Sequence, residues 1–443
     1  MSSIREKEAL ANLPVDELQT SLTAFMAPVL THLPEQRLRQ VSLLAVRGIL
    51  AAQSPVLTEM ARGGQPEDGL NWPLAKRFYR FVANPRFDHR ALLKGLYGLA
   101  QQAVARDPRP YLVVAIDPVN FEKPYTADLE GVSTVLKSTP PGPKGEKRLT
   151  PGYPAITATI VNLPEPVITY ANWFSYKTAD FISENREIYR AIRITRALFP
   201  GTPLRFVGDS GLDDQKIFAQ VARVAGQFVF RVKHEDRLVE VYNERLQRWE
   251  GPEHLNELAA SVPWALRLEV TFHHAHKTRR VTVSLGWLPL RLPDTQQRLW
   301  ALVAYDPDYR RQIILLTNVP LTTPEVAEQV YTQWRCRPRI EHTYRFDQEQ
   351  GLDVEDMRVQ TVERMRRVFV LVLLAALFVY HIAQTWPQQA VCWLRRLGGK
   401  LGLSTDADGP YILLAGISAV LVAVATIRYA RHHPFPRPRE TYG

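Results

Sequence analysis

YLVVAID, residues 111–117, is an unbroken apolar run that closes on an aspartate. A run of this length, rich in β-branched residues, predicts a strand buried on both faces at the centre of a parallel sheet. A second short run, LRFV at 204–207, leads directly into Gly-Asp-Ser-Gly and delivers Asp209 in the way that the first run delivers Asp117. Because open α/β sheets build their sites at the carboxyl ends of central strands, the two aspartates are candidates for one site.

The sequence around these two strands predicts the rest of an α/β unit. Apolar periodicity and the Pro and Gly residues between the runs mark a strand hairpin, two helices and a further strand. The predicted elements are strands at 111–116, 155–161, 167–173, 204–207 and 227–233 and helices at 179–198 and 213–225. This alternation of strands and helices indicates an α/β fold.

The remainder of the chain divides by composition into three further parts. Apolar residues at three- and four-residue steps predict helices before residue 108, and β-branched residues between 234 and 318 predict an all-β insertion. Apolar runs near the end predict C-terminal helices. The predicted organisation is a helical DNA-binding domain at 1–108, an α/β core at 109–233 and 319–385, a β-strand insertion at 234–318, and a C-terminal helical region with a basic tail at 386–443.

The composition indicates a basic protein of a reducing compartment. The 443 residues include 55 Lys and Arg against 45 Asp and Glu, a net charge of +10. This excess suits a polyanionic partner such as nucleic acid, although solubility alone would also explain it. The two cysteines lack a metal-binding spacing, and the N-terminus lacks the apolar core of a signal peptide. We therefore expect a cytoplasmic protein without a zinc site.

Two apolar runs, at 368–380 and 411–427, raise the question of a membrane. The first is too short to cross a bilayer, and the second is borderline in length and contains Gly416, Ser418 and Thr426. We therefore expect core helices and no membrane partner. A membrane protein anchored by these runs is the alternative.

A basic and aromatic segment, NWPLAKRFYRFVANP at 71–85, lies within the predicted helical domain. Lys76, Arg77 and Arg80 alternate there with aromatic residues. A helix of this composition predicts a DNA-contacting element. The alternative is that the aromatic rings pack inward and that the cations are only solvated.

A third acid lies in QWRCRPRIEHTYRFDQEQGL, residues 333–352. A helix that begins near Pro324 would carry Trp334, Arg337, Glu341, Arg345 and Gln348 on one face, because these residues are spaced by three and four. Pro338 stands where it would kink or interrupt this helix. A surface cluster of salt bridges among the arginines and Glu341 is the alternative to a functional site.

Asp117, Asp209 and Glu341 together predict a metal site. Carboxylate oxygens are the ligands that Mg²⁺ prefers, and Mn²⁺ is able to substitute for it. Two such ions about 4 Å apart can hold the attacking and leaving oxygens of a phosphoryl transfer. Taken singly, each aspartate could instead cap a turn.

The sequence around the three acids resembles the DDE transposases of bacterial insertion sequences. AID at Asp117, FVGDSGLDDQKIF around Asp209 and QWRCRPRIEHTYRFDQEQGLDVEDMR around Glu341 carry the resemblance, which extends to RFYRFVANP and the apolar C-terminal helices. The sequence is similar to the branch of these transposases that has a β-strand insertion before the glutamate and a Tyr-x2-Arg-x3-Glu-x6-Lys signature. Arg337 and Glu341 match that signature, whereas Trp334 stands at the tyrosine position and Gln348 at the lysine position.

The resemblance implies a fold, an activity and a set of partners. It implies an RNase H-like catalytic core in which Asp117, Asp209 and Glu341 bind two Mg²⁺ ions and Arg337 contacts a DNA phosphate. Trp334, Arg345 and Gln348, on the same predicted helix face, are the further DNA-binding candidates. The implied enzyme is a metal-dependent endonuclease and strand transferase that cuts transposon ends and joins their 3′-hydroxyls to target DNA. It also implies a dimer on double-stranded DNA, associated with the nucleoid. An inactive DNA-binding descendant is the alternative, to which the changes at Gln348 and Pro338 draw attention.

Overall fold

The structure is a computed structural model that describes residues 13–63, 71–124, 128–137, 148–243, 245–274, 277–307, 311–341, 351–399 and 409–432. Five helices form its N-terminal part: α1 (Val15–Leu30), α2 (Gln36–Ala52), α3 (Leu57–Gly63), α4 (Asn71–Ala83) and α5 (His89–Arg106). Their apolar residues face inward at helical spacing; in α1 these are Leu18, Leu22, Phe25, Met26 and Val29. The helix α5 begins where the Asp88 side chain accepts from the amide of Arg90.

One twelve-stranded sheet runs through the rest of the molecule. Its strands are β1 (Leu112–Glu122), β2 (Ser133–Leu136), β3 (Leu149–Ile160), β4 (Val167–Trp173), β5 (Leu204–Gly208), β6 (Gln227–Arg231), β7 (Leu238–Asn243), β8 (Arg248–His254), β9 (Leu266–His274), β10 (Lys277–Arg291), β11 (Arg298–Asp306) and β12 (Arg311–Thr317). The order is β2-β3-β1-β5-β6-β12-β11-β10-β7-β8, with β4 beside β3 and β9 beside β10. β5 pairs in parallel with both β1 and β6. The predicted α/β fold class is confirmed as a large mixed sheet with flanking helices.

The two faces of the central strands are covered by different helices. Leu112, Val114 and Ile116 pack on one face in a core that includes residues of α6 (Glu184–Leu198) and α7 (Gln215–Arg223). Val113 and Ala115 pack on the other face with residues of α9 (Pro324–Trp334). Since side chains alternate along a strand, Asp117 shares the face of Val113 and Ala115, which is the face of α9.

Strand β1 is longer than the sequence predicts. It continues through Asp117 and Pro118 to Glu122, because its antiparallel pairing with β3 persists as far as Glu122 and Gly152. Its parallel pairing with β5 ends earlier, at Ala115 and Val207. Asp117 is therefore inside a strand, but beyond the last residue that pairs with the neighbouring strand β5.

The predicted insertion at 234–318 contains the six strands β7 to β12, and it extends the same sheet as the core. The antiparallel pairing of β12 with β6 makes this connection. The all-β prediction is wrong for Leu255–Ser261, which forms the helix α8. Leu255 and Ala259, one helical turn apart, are both fully buried, and this packing explains the helix.

Three helices follow: α10 (Val362–Thr385), α11 (Gln388–Gly398) and α12 (Pro410–His432). α10 is long and apolar enough to cross a membrane by length and composition, but 72% of its most apolar window is buried inside the protein. Its residues join the core of the N-terminal helices, and Arg367 donates to the carbonyl oxygen of Val82 at 2.8 Å. This packing favours the interpretation of the first apolar run as a core helix.

Candidate active site

The strand register brings Asp117 and Asp209 to the same level of the sheet. Ala115 of β1 is opposite Val207 of β5. Asp117 lies two residues after Ala115, and Asp209 lies two residues after Val207. Two parallel strands therefore present a carboxylate each at neighbouring positions, as the two sequence runs predict.

Asp209 does not cap the turn that follows it. It occupies the position before the 3₁₀ turn Ser210–Leu212, yet its side chain makes no capping hydrogen bond. Its Oδ1 atom is buried and has no hydrogen-bond partner within the part of the chain that the structure describes. The nearest cation is the guanidinium of Arg231, whose Nη1 lies 3.6 Å from Oδ1. A buried carboxylate oxygen without a donor is costly unless a ligand compensates it.

The helix that precedes Glu341 is interrupted, as Pro338 indicates. α9 ends at Trp334, residues 335–337 form a turn, and a new helical turn covers 338–341. Pro338 has no amide hydrogen and cannot donate to the carbonyl oxygen of Trp334, to which Arg337 donates instead at 3.0 Å. The expectation of one continuous helix face from Trp334 to Glu341 is therefore wrong.

Glu341 nevertheless lies near enough to Asp117 to affect its pKa. Burial raises the pKa of Asp117 to about 7, the positive charge of Arg337 opposes that shift, and the negative charges of Glu341 and Asp209 add to it. Asp209 and Glu341 thus both act electrostatically on Asp117, although Glu341 lies 132 residues beyond Asp209. Arg337 forms an ion pair with Glu341, with 2.6 Å between Nη1 and Oε1.

The donor set suits a divalent cation, but its arrangement is not that of a closed metal site. The Oδ1 of Asp209 has no hydrogen-bond donor among the described residues, and burial disfavours the charged form of Asp117, which a divalent ion would stabilise. Within the described residues, however, no group of three His, Cys, Asp or Glu side chains has metal-binding spacing. The pairing of Glu341 with Arg337 explains why the three acids do not have this spacing, because the carboxylate of Glu341 is directed towards a guanidinium.

The other predicted site residues fall into three groups. Trp334 and Arg337 lie beside the acids; the indole nitrogen of Trp334 donates to the carbonyl oxygen of Gly208 at 3.1 Å. Arg345 and Gln348 lie outside the described residues. Lys76, Arg77 and Arg80 are exposed on α4, whereas the aromatic Phe78 and Phe81 of the same helix are buried.

Sequence reasoning missed Arg231, the residue at the end of β6 that pairs with Asp209. The available signal was its position at the end of the third parallel strand, next to the strand that carries Asp209. Because the predicted strand at 227–233 extends two residues past Arg231, the prediction did not place Arg231 at a strand end.

The replacement Asp117→Asn is expected to stabilise the protein in EDTA at pH 8 by about 2 kcal/mol. A carboxyl whose pKa rises on folding holds its proton more tightly in the folded state, so stability falls as the pH rises from about 4 through about 7. The amide removes this loss, and its advantage should shrink towards pH 5. Urea unfolding at several pH values measures the difference. A variant less stable than wild type at pH 8 would contradict the buried carboxylate.

Comparison with known proteins gives little at the level of sequence. No model of a protein family matches the chain, and no curated protein matches it. Among solved structures, one match is a piggyBac transposase in a synaptic complex with hairpin DNA, determined by cryo-electron microscopy. The match covers 97% of this chain and 84% of the other, with 9% identity and a TM-score of 0.42. A likeness of this degree leaves the family and the function open.

Proposed function

We propose that this protein is a DNA transposase that cuts transposon ends and joins the 3′-hydroxyls to target DNA by metal-dependent phosphoryl transfer. The observation that carries the proposal is that Asp209 and Glu341, from two other elements, lie close enough to Asp117 for their charges to add to the rise that burial gives its pKa, to about 7. Acids gathered in this way at functional sites commonly serve a cation.

The core that carries these acids supports an RNase H-like assignment. Its five strands have the order β4-β3-β1-β5-β6, and the parallel strands β1 and β5 at its centre bear Asp117 and Asp209. α9 and the turn after it bring Glu341 to the same face. An arrangement of this kind holds its acids on strands and turns that are braced by a buried core.

In the proposed reaction the three carboxylates hold two Mg²⁺ ions, for which Mn²⁺ can substitute. When bound, such ions activate a water or a 3′-hydroxyl and stabilise the charge on the phosphate oxygens. Arg337 stands beside the acids with a buried Nε that has no hydrogen-bond partner among the described residues. In the proposed reaction its guanidinium would donate to a phosphate oxygen. No serine or tyrosine nucleophile is required.

The exposed face of α4 supports contact with DNA. Trp72 and Tyr79 are 58% and 40% exposed, and Lys76 lies over the Trp72 ring at 5.4 Å. A groove beside this face is lined by the arginines at 37, 77, 80 and 86. Cations interleaved with aromatic rings suit a phosphate backbone and its bases. We propose that this face binds double-stranded DNA, with the protein acting as a dimer near the nucleoid.

An inactive DNA-binding descendant is the second candidate function. The observation that favours it is the 2.6 Å ion pair between Arg337 and Glu341, which occupies a carboxylate that the metal would need. In this alternative the fold and the basic surface persist, whereas cleavage is lost.

The test is to incubate the protein with labelled DNA that carries the ends of its own element, in Mg²⁺ or in EDTA, and to map the products. Cuts at the element boundary that require the metal would support the transposase. Binding without cutting, in Mg²⁺ and in Mn²⁺, would overturn the proposed enzyme and leave the DNA-binding descendant.

A further inference from the structure

Two side chains hold the chain on either side of the break that precedes Glu341: Trp334 binds the end of β5, and Arg339 binds the turn between β3 and β4. We propose that Trp334 and Arg339 are positioning residues, which fix Glu341 against Asp117 and Asp209. The consequence for catalysis rests on the proposed function; the fastening itself does not.

Arg339, two residues before Glu341, binds the turn between β3 and β4. Its Nη1 donates to the carbonyl oxygens of Val161 at 2.5 Å and Leu163 at 2.7 Å, and its Nη2 donates to that of Pro164. Three hydrogen bonds from one guanidinium to carbonyl groups of the same turn define both the place and the direction of the side chain. The turn at 338–341 is thereby held to a point 178 residues earlier in the chain.

The turn that receives Arg339 is itself tied to β1, the strand of Asp117. The amide of Val161 donates to the carbonyl oxygen of Val113 at 2.9 Å. The Asn162 side chain accepts from the amide of Val113 at 2.9 Å and donates to the carbonyl oxygen of Tyr111 at 3.1 Å. A continuous set of hydrogen bonds therefore joins the start of β1 to the segment that bears Glu341.

Trp334 makes the corresponding link to β5, the strand of Asp209. Its indole nitrogen donates to the carbonyl oxygen of Gly208, the residue directly before Asp209. The last residue of α9 is in this way fixed to the end of the strand that presents the second acid. The two links, to β1 and to β5, lie on opposite sides of the break at 335–337.

The break explains why such links are needed. An uninterrupted helix would set the position of Glu341 relative to α9 through its own backbone. Here Pro338 removes one of those hydrogen bonds, and the turn is closed by short-range bonds such as that from the amide of Ile340 to the carbonyl oxygen of Arg337 at 3.0 Å. Burial of Ile340 holds the segment against the core, while the two polar side chains determine its orientation.

The experiment compares Arg339→Gln and Trp334→Phe with Arg335→Gln. The control arginine lies in the same segment and is bonded through Nη2 to the carbonyl oxygen of Thr271 at 3.2 Å, in a strand that bears none of the three acids. Arg339→Lys, which keeps one charged donor, provides a milder variant that should fold if Arg339→Gln does not. The readouts are hydrogen exchange of the peptide at 335–341, Mn²⁺ affinity without DNA, and the cleavage rate on DNA ends.

We expect amide exchange at 335–341 to accelerate in both test variants and to stay unchanged in the control. The Kd for Mn²⁺ and the cleavage rate should each worsen by about 10- to 100-fold, the usual effect of losing a group that orients a metal ligand. DNA affinity should change less than twofold. Arg339→Lys should fall between wild type and Arg339→Gln.

The failure of this inference differs from the failure of the proposed function. Exchange rates and Mn²⁺ affinities that match wild type in both test variants would overturn the positioning role, whatever the cleavage result. If wild type neither binds Mn²⁺ nor cuts DNA, the proposed enzyme fails, and the exchange data still decide whether Trp334 and Arg339 hold the segment.

Discussion

Asp209→Asn is expected to reduce DNA cleavage by about a thousandfold or more, which is the scale of losing a central electrostatic contribution to a transition state. The change keeps the shape of the side chain and removes its charge. Its Oδ1 has no hydrogen-bond donor among the described residues, and the cation that pairs with it, Arg231, is 3.6 Å away. The loss should therefore fall on catalysis and spare the fold.

The measurement combines the cleavage rate with DNA affinity and thermal stability. Affinity for element ends should stay within about threefold, because the cationic face on α4 that is proposed to bind DNA does not include Asp209. Asp214→Asn is the matched control. Asp214 caps α7 through the amide of Lys216, and asparagine caps helices about as well as aspartate. Cleavage by Asp209→Asn above one tenth of the wild-type rate would contradict the assignment of this acid.

Local patterns were sufficient to predict that the two aspartates lie at neighbouring positions of the sheet. The apolar runs at 111–116 and 204–207 identify buried strands, and buried parallel strands present their ends together. The register then brings both carboxylates to one level, as a sequence argument can anticipate. The extension of β1 to Glu122 was not predictable in the same way, because it depends on pairing with β3, whose own range was predicted too short.

The environment of Glu341 could be predicted only in part. Pro338 signals the interruption through its missing amide hydrogen, which is a local property. The contacts of Trp334 with Gly208 and of Arg339 with the turn at 161–164 join residues 126 to 178 positions apart. Contacts between residues so far apart in the chain leave no periodic pattern of apolar residues in the sequence. The sequence therefore suggested a helix face for binding DNA at Trp334, where the structure has a hydrogen bond to the neighbouring strand.

The way in which the insertion joins the central sheet was also not predictable from the sequence. The strand-rich character of the insertion was predicted from β-branched residues, although β7 and β8 were not predicted. The continuation of the central sheet into the insertion depends on the pairing of β12 with β6. That pairing also fixes the end of β6, where Arg231 turns towards Asp209. Arg231 was missed because the end of a strand depends on which strands pair with it, and this pairing was not predicted from the sequence.

The contact between α11 and α12 leads to the second large effect. Gly416→Ala is expected to lower the free energy of unfolding by about 3 kcal/mol, at the upper end of the range for overpacked cores. A Cβ at this position would lie 1.9 Å from the carbonyl oxygen of Leu394 and 2.6 Å from its carbon. These are backbone atoms of α11, so relief requires the two helices to separate, and the same crossing is tight at Gly398, where a Cβ would meet the carbonyl oxygen of Ile412 at 2.1 Å.

Separating α11 from α12 would also disturb the N-terminal helices, because α12 packs on them. Leu413 and Ile417 are fully buried, and the Ser418 hydroxyl donates to the carbonyl oxygen of Ala51 in α2 at 2.6 Å. Gly98→Ala in α5 is the matched control: a Cβ there meets nothing within 4 Å, so the change should stabilise the helix by about 0.5–1 kcal/mol. Chemical denaturation measures both variants. If Gly416→Ala were as stable as wild type, the close packing of α11 on α12 would be wrong, and with it the placement of the second apolar run as a helix in the shared core.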